Sequence, residues 1–472
     1  MTKNRKYKKL IGNSVIFAIG NLGSKLISFI MLPLYTYKLT TEQYGTADLI
    51  STTATLLLPI ITLSIFESVL RFAMDSDSNK TKIFSNSLWV TFLGNLLLLL
   101  FLLISIFLKN HNLFFLILLL MLQSLQALLS QYAKATNLLK EYAFNGILMT
   151  IVTSVMNILV LLIFNYGITG YLLSIVMAYV VSILFFSFKI DLKKSFSKDL
   201  IDYNYIKIML RYSIPLIPNS IAIWFTNMVS RYFILFFLGA SANGIFAVAN
   251  KIPILITTLH SLFYQSWQLS AIEEYEKEGK SQFYTNVFSL YSQLLFLGIT
   301  SVLVVLRPVI EFSMRGDFST AWKYVPFLLL TAAYSSFSSF LGTNYIAAKA
   351  TKGALYTTSI GAIMNISLNF ILIPTLGLYG AGLSSSISFF FLWLIRIKHT
   401  KKYIDVKLNK GNIVLNNAII LLQIIILFTL NGLALISLEF LLLIMSMIVN
   451  KSLIRTVFVL FKKIFIRKFL KR

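Results

Sequence analysis

The sequence predicts an all-α polytopic membrane protein with about 14 transmembrane helices, arranged as two pseudo-symmetric six-helix bundles followed by two C-terminal helices. Of its 472 residues, 57% are hydrophobic and only 12% are charged, and the mean hydropathy is +0.79. That composition excludes a soluble globular protein. Apolar runs long enough to cross a bilayer follow one another along the chain, and parts of the first half recur in the second.

The apolar runs define the predicted helices in order. A bilayer core about 30 Å thick requires about 20 apolar residues in a helix. Fourteen runs meet this requirement, at 11–35, 46–70, 84–108, 112–133, 145–165, 168–188, 212–238, 243–270, 283–306, 322–347, 355–374, 378–397, 413–430 and 433–450. The first run is too long for a signal-peptide core, so we expect it to be retained as helix 1. Asn431-Gly432 is a turn dipeptide and predicts a tight reversal between helices 13 and 14.

The net charge of +25 is distributed over alternate loops. Of the 42 lysines and arginines, 34 fall in the N-terminus, the C-terminal tail and one set of loops, including the six from Arg396 to Lys410. The opposite loops hold five. By the positive-inside rule both termini are cytoplasmic, as an even number of spans also requires. The alternation predicts a multi-pass protein of the cytoplasmic (cell) membrane and argues against nucleic acid as a partner.

Two pairs of segments indicate an internal repeat. Residues 155–170 align with 363–380, and residues 42–60 align with 241–256 so that Gly45 falls on Gly244. Helices 1–6 and 7–12 thus form two similar halves, and transporters built from such repeats have their substrate site between the repeats. The predicted organisation is an N-terminal six-helix bundle, a cytoplasmic linker, a C-terminal six-helix bundle, an additional helix pair and a basic amphipathic cytoplasmic tail, at 10–190, 191–211, 212–398, 413–450 and 451–472.

The tail interleaves apolar and basic side chains at helical spacing. This pattern predicts an interfacial helix on the inner leaflet. A solvated tail that helps to set the topology is an equally compatible interpretation.

Apart from Lys323 and Arg396 at the ends of their runs, three cations lie within predicted helices: Lys25, Arg231 and Lys251. Acids within predicted helices include Glu67, which Arg71 can pair with at i+4, and Glu439. The three cations therefore have no obvious acidic partners, which predicts a wet cavity and an anionic ligand. Arg231 and Lys251 are also placed to snorkel towards an interface, and Lys25 has a structural alternative as a partner of Glu67.

Two asparagines extend this set of candidates. Asn21 and Asn227 precede Lys25 and Arg231 by four residues and so share their helix faces. Together with Glu67 they are candidate cavity-lining residues. Interhelical hydrogen bonding is the alternative role for the two amides.

The sequence resembles the Wzx-type polysaccharide flippases of the MOP superfamily, which also contains the lipid II flippase MurJ and the MATE exporters. The resemblance covers about residues 10–398 and rests on GNLGSKLISFIMLPLYTYKLTTEQYGTADL, on SRYFILFFLGASANGIFAVANKIP, and on the segments ending in GITG and GLYG. It implies a central cavity lined by helices 1, 2, 7 and 8, alternating access, and basic residues that hold a lipid diphosphate, here Lys25, Arg231 and Lys251. Many relatives carry an acid before the helix 7 cation, where this chain has Ser230.

The predicted function is therefore the translocation of undecaprenyl-diphosphate-linked oligosaccharide repeat units from the inner to the outer leaflet, for capsule or other surface polysaccharide export. The expected partners are this lipid-linked substrate, membrane lipids, and a polysaccharide polymerase with assembly proteins. We expect no catalytic residues, metal or cofactor, since no nucleophile elbow, phosphate loop or metal-ligand cluster is present in the sequence. A lipid II-type flippase and, in a different class, a membrane-embedded enzyme acting on lipid-linked sugars are the alternatives.

Overall fold

The computed structural model describes residues 23–75, 78–348, 350–456 and 458–459. Within those ranges every regular element is helical. We number the α-helices α1 (23–30), α2 (Leu32–Lys38), α3 (Thr41–Ile61), α4 (Ile65–Ala73), α5 (Lys80–Phe107), α6 (His111–Ala135), α7 (Leu139–Asn157), α8 (Gly167–Ile190), α9 (Leu192–Ser195), α10 (Tyr203–Ser213), α11 (Ile217–Ala249), α12 (Pro253–Glu274), α13 (Lys280–Ser313), α14 (Val325–Ala347), α15 (Thr351–Leu376), α16 (Leu378–Thr400), α17 (Lys410–Thr429) and α18 (Gly432–Val449). A π-helix, Ile158–Ile163, extends α7, and short 3-10 turns cover Lys198–Leu200, Ile214–Leu216 and Gly316–Lys323.

The predicted all-α membrane fold is confirmed. Among the described residues, 12 helices are long and apolar enough to cross a bilayer. They correspond to the predicted runs with two exceptions. Residues 11–22 of the first run, 11–35, lie outside the described part of the chain, and the eighth run, 243–270, is divided between α11 and α12. Of the predicted tail helix, residues 451–456 and 458–459 are helical, and the remainder lies outside the described part of the chain.

Two runs predicted as continuous helices are broken. In the second run, α3 ends at Ile61 and α4 begins at Ile65, because Leu63 and Ser64 adopt left-handed conformations with φ of 50° and 51°. In the eighth run, residues 250–252 form a turn before Pro253 opens α12. Proline favours the first position of a helix, where its missing N–H is not needed. Hydropathy alone does not detect such breaks, since the side chains on both sides remain apolar.

The chain divides into two compact units, the first ending at Ala247 and the second beginning at Val248. A buried cluster in the first unit joins α4, α5, α6, α8 and α10, and its largest members are Phe84, Tyr132, Phe186 and Met209. Phe84 and Tyr132 have ring centroids 4.5 Å apart. The predicted bundle boundaries at 10–190 and 212–398 remain predictions.

The segment after α8 is fastened to the start of α5. Lys82 Nζ lies 2.7 Å from Asp202 Oδ2, and this hydrogen bond holds the pKa of the Asp202 carboxyl below its usual value. The Asn86 side chain donates to the Leu200 carbonyl and accepts from the Asp202 N–H, at 2.9 and 2.8 Å. The residues predicted as a linker, 191–211, thus include backbone groups held in place by side chains of α5.

The helix pair α17–α18 is joined to α13 at two levels. Arg307 of α13 donates to the carbonyls of Leu427 and Leu430, at 3.0 and 2.9 Å, and so satisfies acceptors left open at the end of α17. About two turns deeper, Gln423 donates to Glu439 Oε2 at 2.7 Å and to the Thr300 carbonyl at 3.3 Å. Arg307 is one of the five cations that the sequence places in the opposite loops, but the structure places it within α13.

Candidate functional site

The first unit contains a close approach between α3 and the end of α11. A Cβ atom built on Gly45 would lie 1.9 Å from the carbonyl oxygen of Ala240, and one built on Gly244 would lie 1.9 Å from the carbonyl oxygen of Thr41. Real Cβ contacts are essentially never shorter than 3.0 Å, so only glycine fits at either position. Gly45 and Gly244 are the two positions that the predicted repeat aligns, and their contacts are reciprocal. Such reciprocity is the arrangement that a two-fold axis produces.

Polar side chains surround the glycine contact. Thr41 Oγ1 and Ser241 Oγ are 2.5 Å apart. The Asn243 amide donates to the Gly45 carbonyl at 3.0 Å and to Asp48 Oδ2 at 3.3 Å. Asn243 is fully buried, so its donors fix the position of the Asp48 carboxylate.

Arg231 reaches the same carboxylate from the first part of α11. Its Nη1 lies 3.2 Å from Asp48 Oδ2 and donates to Thr52 Oγ1 at 2.9 Å. The two charged side chains are only 15% and 14% exposed. The expectation that the helix cations lack acidic partners is therefore wrong for Arg231. Asp48 lies within the second predicted run, but its pairing with a residue so distant in sequence could not be read from spacing.

A buried pair of this kind has a defined electrostatic role. Leaving either charge alone in a poorly hydrated site costs several kcal/mol, typically about 3–5 when one partner is removed. The contacts with Asp48 and Thr52 order the Arg231 guanidinium, and part of its fork of five donors remains for another acceptor. Arg231 is thus already ordered, with donors left for a further acceptor.

Aromatic side chains of α11 extend the site along α3. Trp224 Nε1 donates to the Thr52 carbonyl at 3.1 Å, and Tyr232 Oη lies 2.6 Å from Thr53 Oγ1. The two rings lie edge to face, with centroids 5.3 Å apart. Neither aromatic residue was singled out from sequence. Their spacing along an apolar run is not distinguishable from ordinary core packing.

The remaining candidate residues have separate locations. Lys25 lies half-buried on α1, and Glu67 lies half-buried on α4. Lys251 lies in the turn between α11 and α12, so it is not inside a continuous helix as predicted. Because Lys251 belongs to the second unit, its proximity to Lys25 and Arg231 remains a prediction. Asn21 lies outside the described residues, and Asn227 is a position on α11.

The predicted pairing of Glu67 with Arg71 is wrong. Arg71 Nη1 instead contacts Asp75 Oδ1 at 2.6 Å, also at i+4, in a pair that is exposed. Asp75 follows the end of α4, where water screens the interaction and such a pair contributes little to stability. The Glu67 carboxylate lies in the first turn of α4, where the helix dipole favours a negative charge.

Sequence and structure comparisons are consistent with one another. A family model described as "Polysaccharide biosynthesis protein" matches residues 10–268. No curated protein sequence gives a significant match. The lipid II flippase MurJ, in an inward closed conformation, is 15% identical with a TM-score of 0.70, and the match covers 94% of this chain and 100% of that one. A MOP superfamily transporter from Pyrococcus furiosus is 12% identical, with a TM-score of 0.58 and coverages of 82% and 94%.

A MATE transporter from Vibrio cholerae, a point mutant of VcmN, is also similar. It is 12% identical with a TM-score of 0.56, over 84% of this chain and 96% of that one. Identities this low define a shared fold and nothing finer. The common feature of these structures is the arrangement of membrane helices, which the resemblance in the sequence predicts.

Proposed function

Because the chain belongs to the polysaccharide biosynthesis protein family, we propose that it is a flippase. Its cargo is an undecaprenyl-diphosphate-linked oligosaccharide repeat unit, which it moves from the inner to the outer leaflet of the cytoplasmic membrane by alternating access. The exported sugar contributes to a capsule or another surface polysaccharide. The observation that carries this proposal is the combination of the family match with a fold shared over nearly the whole chain with a lipid flippase.

The Arg231 site supports an anionic cargo. A diphosphate offers several oxygens to a guanidinium, and charge-assisted hydrogen bonds of this type are about twice as strong as neutral ones. Asp48 repels the same diphosphate, so cargo binding weakens the Arg231–Asp48 contact. A ligand changes the balance of two conformations only through its different affinity for each. The diphosphate replaces Asp48 as the partner of Arg231, and this exchange makes its affinity differ between the two conformations.

The turn that contains Lys251 supports a role for this residue too. Irregular backbone at membrane depth is tolerated where it lines a polar cavity or is buried in protein. In transporters, the N-termini of interrupted helices face anionic groups of the substrate, since their backbone N–H groups are unpaired and carry partial positive charge. α12 begins at Pro253, two residues after Lys251. Lys25, Arg231 and Lys251 together are the proposed diphosphate ligands, and the half-buried rings of Trp224 and Tyr232 are candidates for stacking on sugar rings.

A flipping assay in proteoliposomes tests the function. The purified chain is reconstituted with a fluorescent undecaprenyl-diphosphate oligosaccharide, and a membrane-impermeant glycosidase reports which donor molecules have crossed. We expect the initially protected pool to become accessible only in vesicles that contain the protein. Movement of lipid II alone favours the lipid II-type flippase, which the MurJ-like fold makes the second candidate. Release of a polymer or a transferred sugar without crossing contradicts transport and favours the enzyme.

We further propose that both termini are cytoplasmic, which cysteine labelling tests. The natural sequence has no cysteine, so each introduced thiol is unique. Cysteines at Asn110, Tyr166 and Leu376 should react with an impermeant maleimide from the outside of intact cells, and those at Asp199 and Tyr403 only after permeabilisation. The side chains of Tyr166 and Leu376 are 61% and 45% exposed. Thiols at these positions are therefore accessible to the maleimide. A reversed pattern at two of the five positions refutes the orientation.

A further inference from the structure

A cationic pocket in the second unit is separate from the predicted cargo ligands. One end of α15 and the adjoining end of α16 border an open cavity of about 540 Å³. We define the cationic pocket by Lys352, Tyr356, His399, Lys402 and Tyr403, which line it. We propose that it binds a phosphate group, carried by an anionic phospholipid of the inner leaflet or free in solution. This phosphate is a resident ligand and not the transported cargo, so the proposal does not depend on flipping.

The charge of the pocket is uncompensated within the described structure. The described lining residues include no Asp or Glu. Among the ion pairs that join described residues, none involves Lys352 or Lys402. Lys402 Nζ lies over the ring of Tyr403, 5.0 Å from its centroid, which orients the ammonium without neutralising it. Two lysines that line one cavity, whose described lining residues include no carboxylate, favour an anion there.

Hydrogen-bond donors are already positioned in the pocket. His399 Nδ1 lies 2.9 Å from the hydroxyl of Tyr345, which is fully buried. This contact fixes the imidazole ring of His399. Its other nitrogen, Nε2, is not engaged by Tyr345. The N-terminus of α15, a helix of 26 residues, adjoins the pocket and has no side-chain cap. Its first backbone N–H groups add donors and a partial positive charge.

A buried arginine strengthens the positive field one helical turn deeper. Arg396 is 8% exposed and donates to the Ser338 carbonyl and to Thr358 Oγ1, both at 2.8 Å. Its guanidinium also lies 6.0 Å from the ring centroid of Tyr345, the residue that holds His399. No described carboxylate pairs with it. A buried guanidinium whose contacts are all neutral gains stability from an anion nearby, which the pocket can supply.

The position of the pocket indicates the source of the phosphate. It lies beside the segment that runs from Arg396 to Lys410, which carries six cations and is predicted to face the cytoplasm. Basic pockets between membrane helices on that side are typical sites for anionic lipid headgroups. Tyr356 is 61% exposed, so the cavity is open to its surroundings on that side. A headgroup phosphate can therefore enter the pocket while its acyl chains remain in the bilayer.

Native mass spectrometry of the full chain tests the proposal. The detergent-purified protein is titrated with phosphatidylglycerol, with phosphatidylcholine, and with inorganic phosphate as a competitor. We expect tight retention of phosphatidylglycerol and an affinity lower by about tenfold or more in the Lys352→Gln/Lys402→Gln double variant, because two charge-assisted contacts are lost. The control is Lys398→Gln/Lys401→Gln, which removes the same charge from exposed lysines of the same segment that do not line the pocket.

The outcomes separate the two sources. Competition by inorganic phosphate at concentrations similar to those of the lipid identifies free phosphate as the ligand, whereas phosphatidylglycerol binding that phosphate does not displace identifies the headgroup. Lys352→Arg/Lys402→Arg should retain binding, and this variant guards against a folding defect as the cause of a loss. Equal affinity for phosphatidylcholine, or an equal loss in the control variant, overturns the proposal.

Discussion

Replacing Lys25 by alanine should abolish flipping while the protein still inserts and folds. In the proposed mechanism the ammonium of Lys25 binds a diphosphate oxygen from its half-buried position on α1. Lys25→Arg should retain part of the activity, because arginine still presents donors to phosphate oxygens. Lys25→Glu should be at least as damaging as alanine, since it repels the dianion in a site of low effective dielectric. Flipping rates in proteoliposomes, normalised to the amount of folded protein, provide the measurement.

The control for this prediction is Lys140→Ala, which removes an exposed lysine near the start of α7. It should leave the rate within about twofold of the unmodified protein, as expected for surface substitutions away from a site. The structural alternative, in which Lys25 pairs with Glu67, makes a different prediction. In that case alanine lowers stability, and Glu67→Gln restores it. Full transport by folded Lys25→Ala protein, or its rescue by Glu67→Gln, refutes the role of Lys25 as a ligand.

Replacing Gly244 by alanine should prevent the close contact between α3 and α11. The added Cβ would lie 1.9 Å from the Thr41 carbonyl, and backbone on both sides leaves no flexible side chain to move away. Overpacking typically costs about 1–3 kcal/mol, and this case belongs at the upper end. At about 3 kcal/mol the population of the contact state falls by about two orders of magnitude. If transport requires this state, its rate should fall with it. Gly45→Ala should have the same effect through the Ala240 carbonyl.

A disulfide measures the contact directly. Thr41 and Ser241 have side-chain oxygens 2.5 Å apart, so cysteines at these positions can form a disulfide only while the contact exists. We expect rapid oxidation in the natural background, slow oxidation with Gly244→Ala, and rapid oxidation with the control Gly146→Ala. At Gly146 the nearest atom to a built Cβ is 4.0 Å away, so alanine fits. An unchanged oxidation rate in the Gly244→Ala variant contradicts the prediction. If the cross-linked protein still flips its cargo, transport does not require this contact to open.

Much of the fold could be predicted because hydropathy reports burial in a membrane directly. The predicted runs and the described helices agree from α5 to α8 and from α13 to α18, where each helix contains a stretch long and apolar enough to cross a bilayer. Hydropathy did not reveal the two breaks. Leu63 and Ser64 have no sequence signature for left-handed backbone, whereas Pro253 was an available signal for the start of α12.

The candidate site was less predictable because its contacts join distant parts of the chain. Arg231 was identified by its charge within an apolar run, but Asp48 and Thr52 could be assigned to it only from the structure. Arg396 was counted as a loop cation because it lies at the edge of a hydropathy window. It is in fact buried in α16. Charge patterning locates cations relative to the membrane, but it does not indicate which of them packing has enclosed.

The reciprocal glycine contact has a consequence for the history of the chain. If the two halves arose by duplication of a gene for a smaller protein, that ancestor would have formed a homodimer. In it, the glycine of each copy would have contacted the same backbone segment of the other copy. A single mutation there would have altered both contacts at once. Fusion removed that constraint. Gly45 and Gly244 have stayed alike, while their preceding neighbours differ. Tyr44 packs against Tyr35 and Tyr171, and Asn243 binds Asp48. On that history, one copy would have acquired a polar site while the glycine contact between the copies was kept.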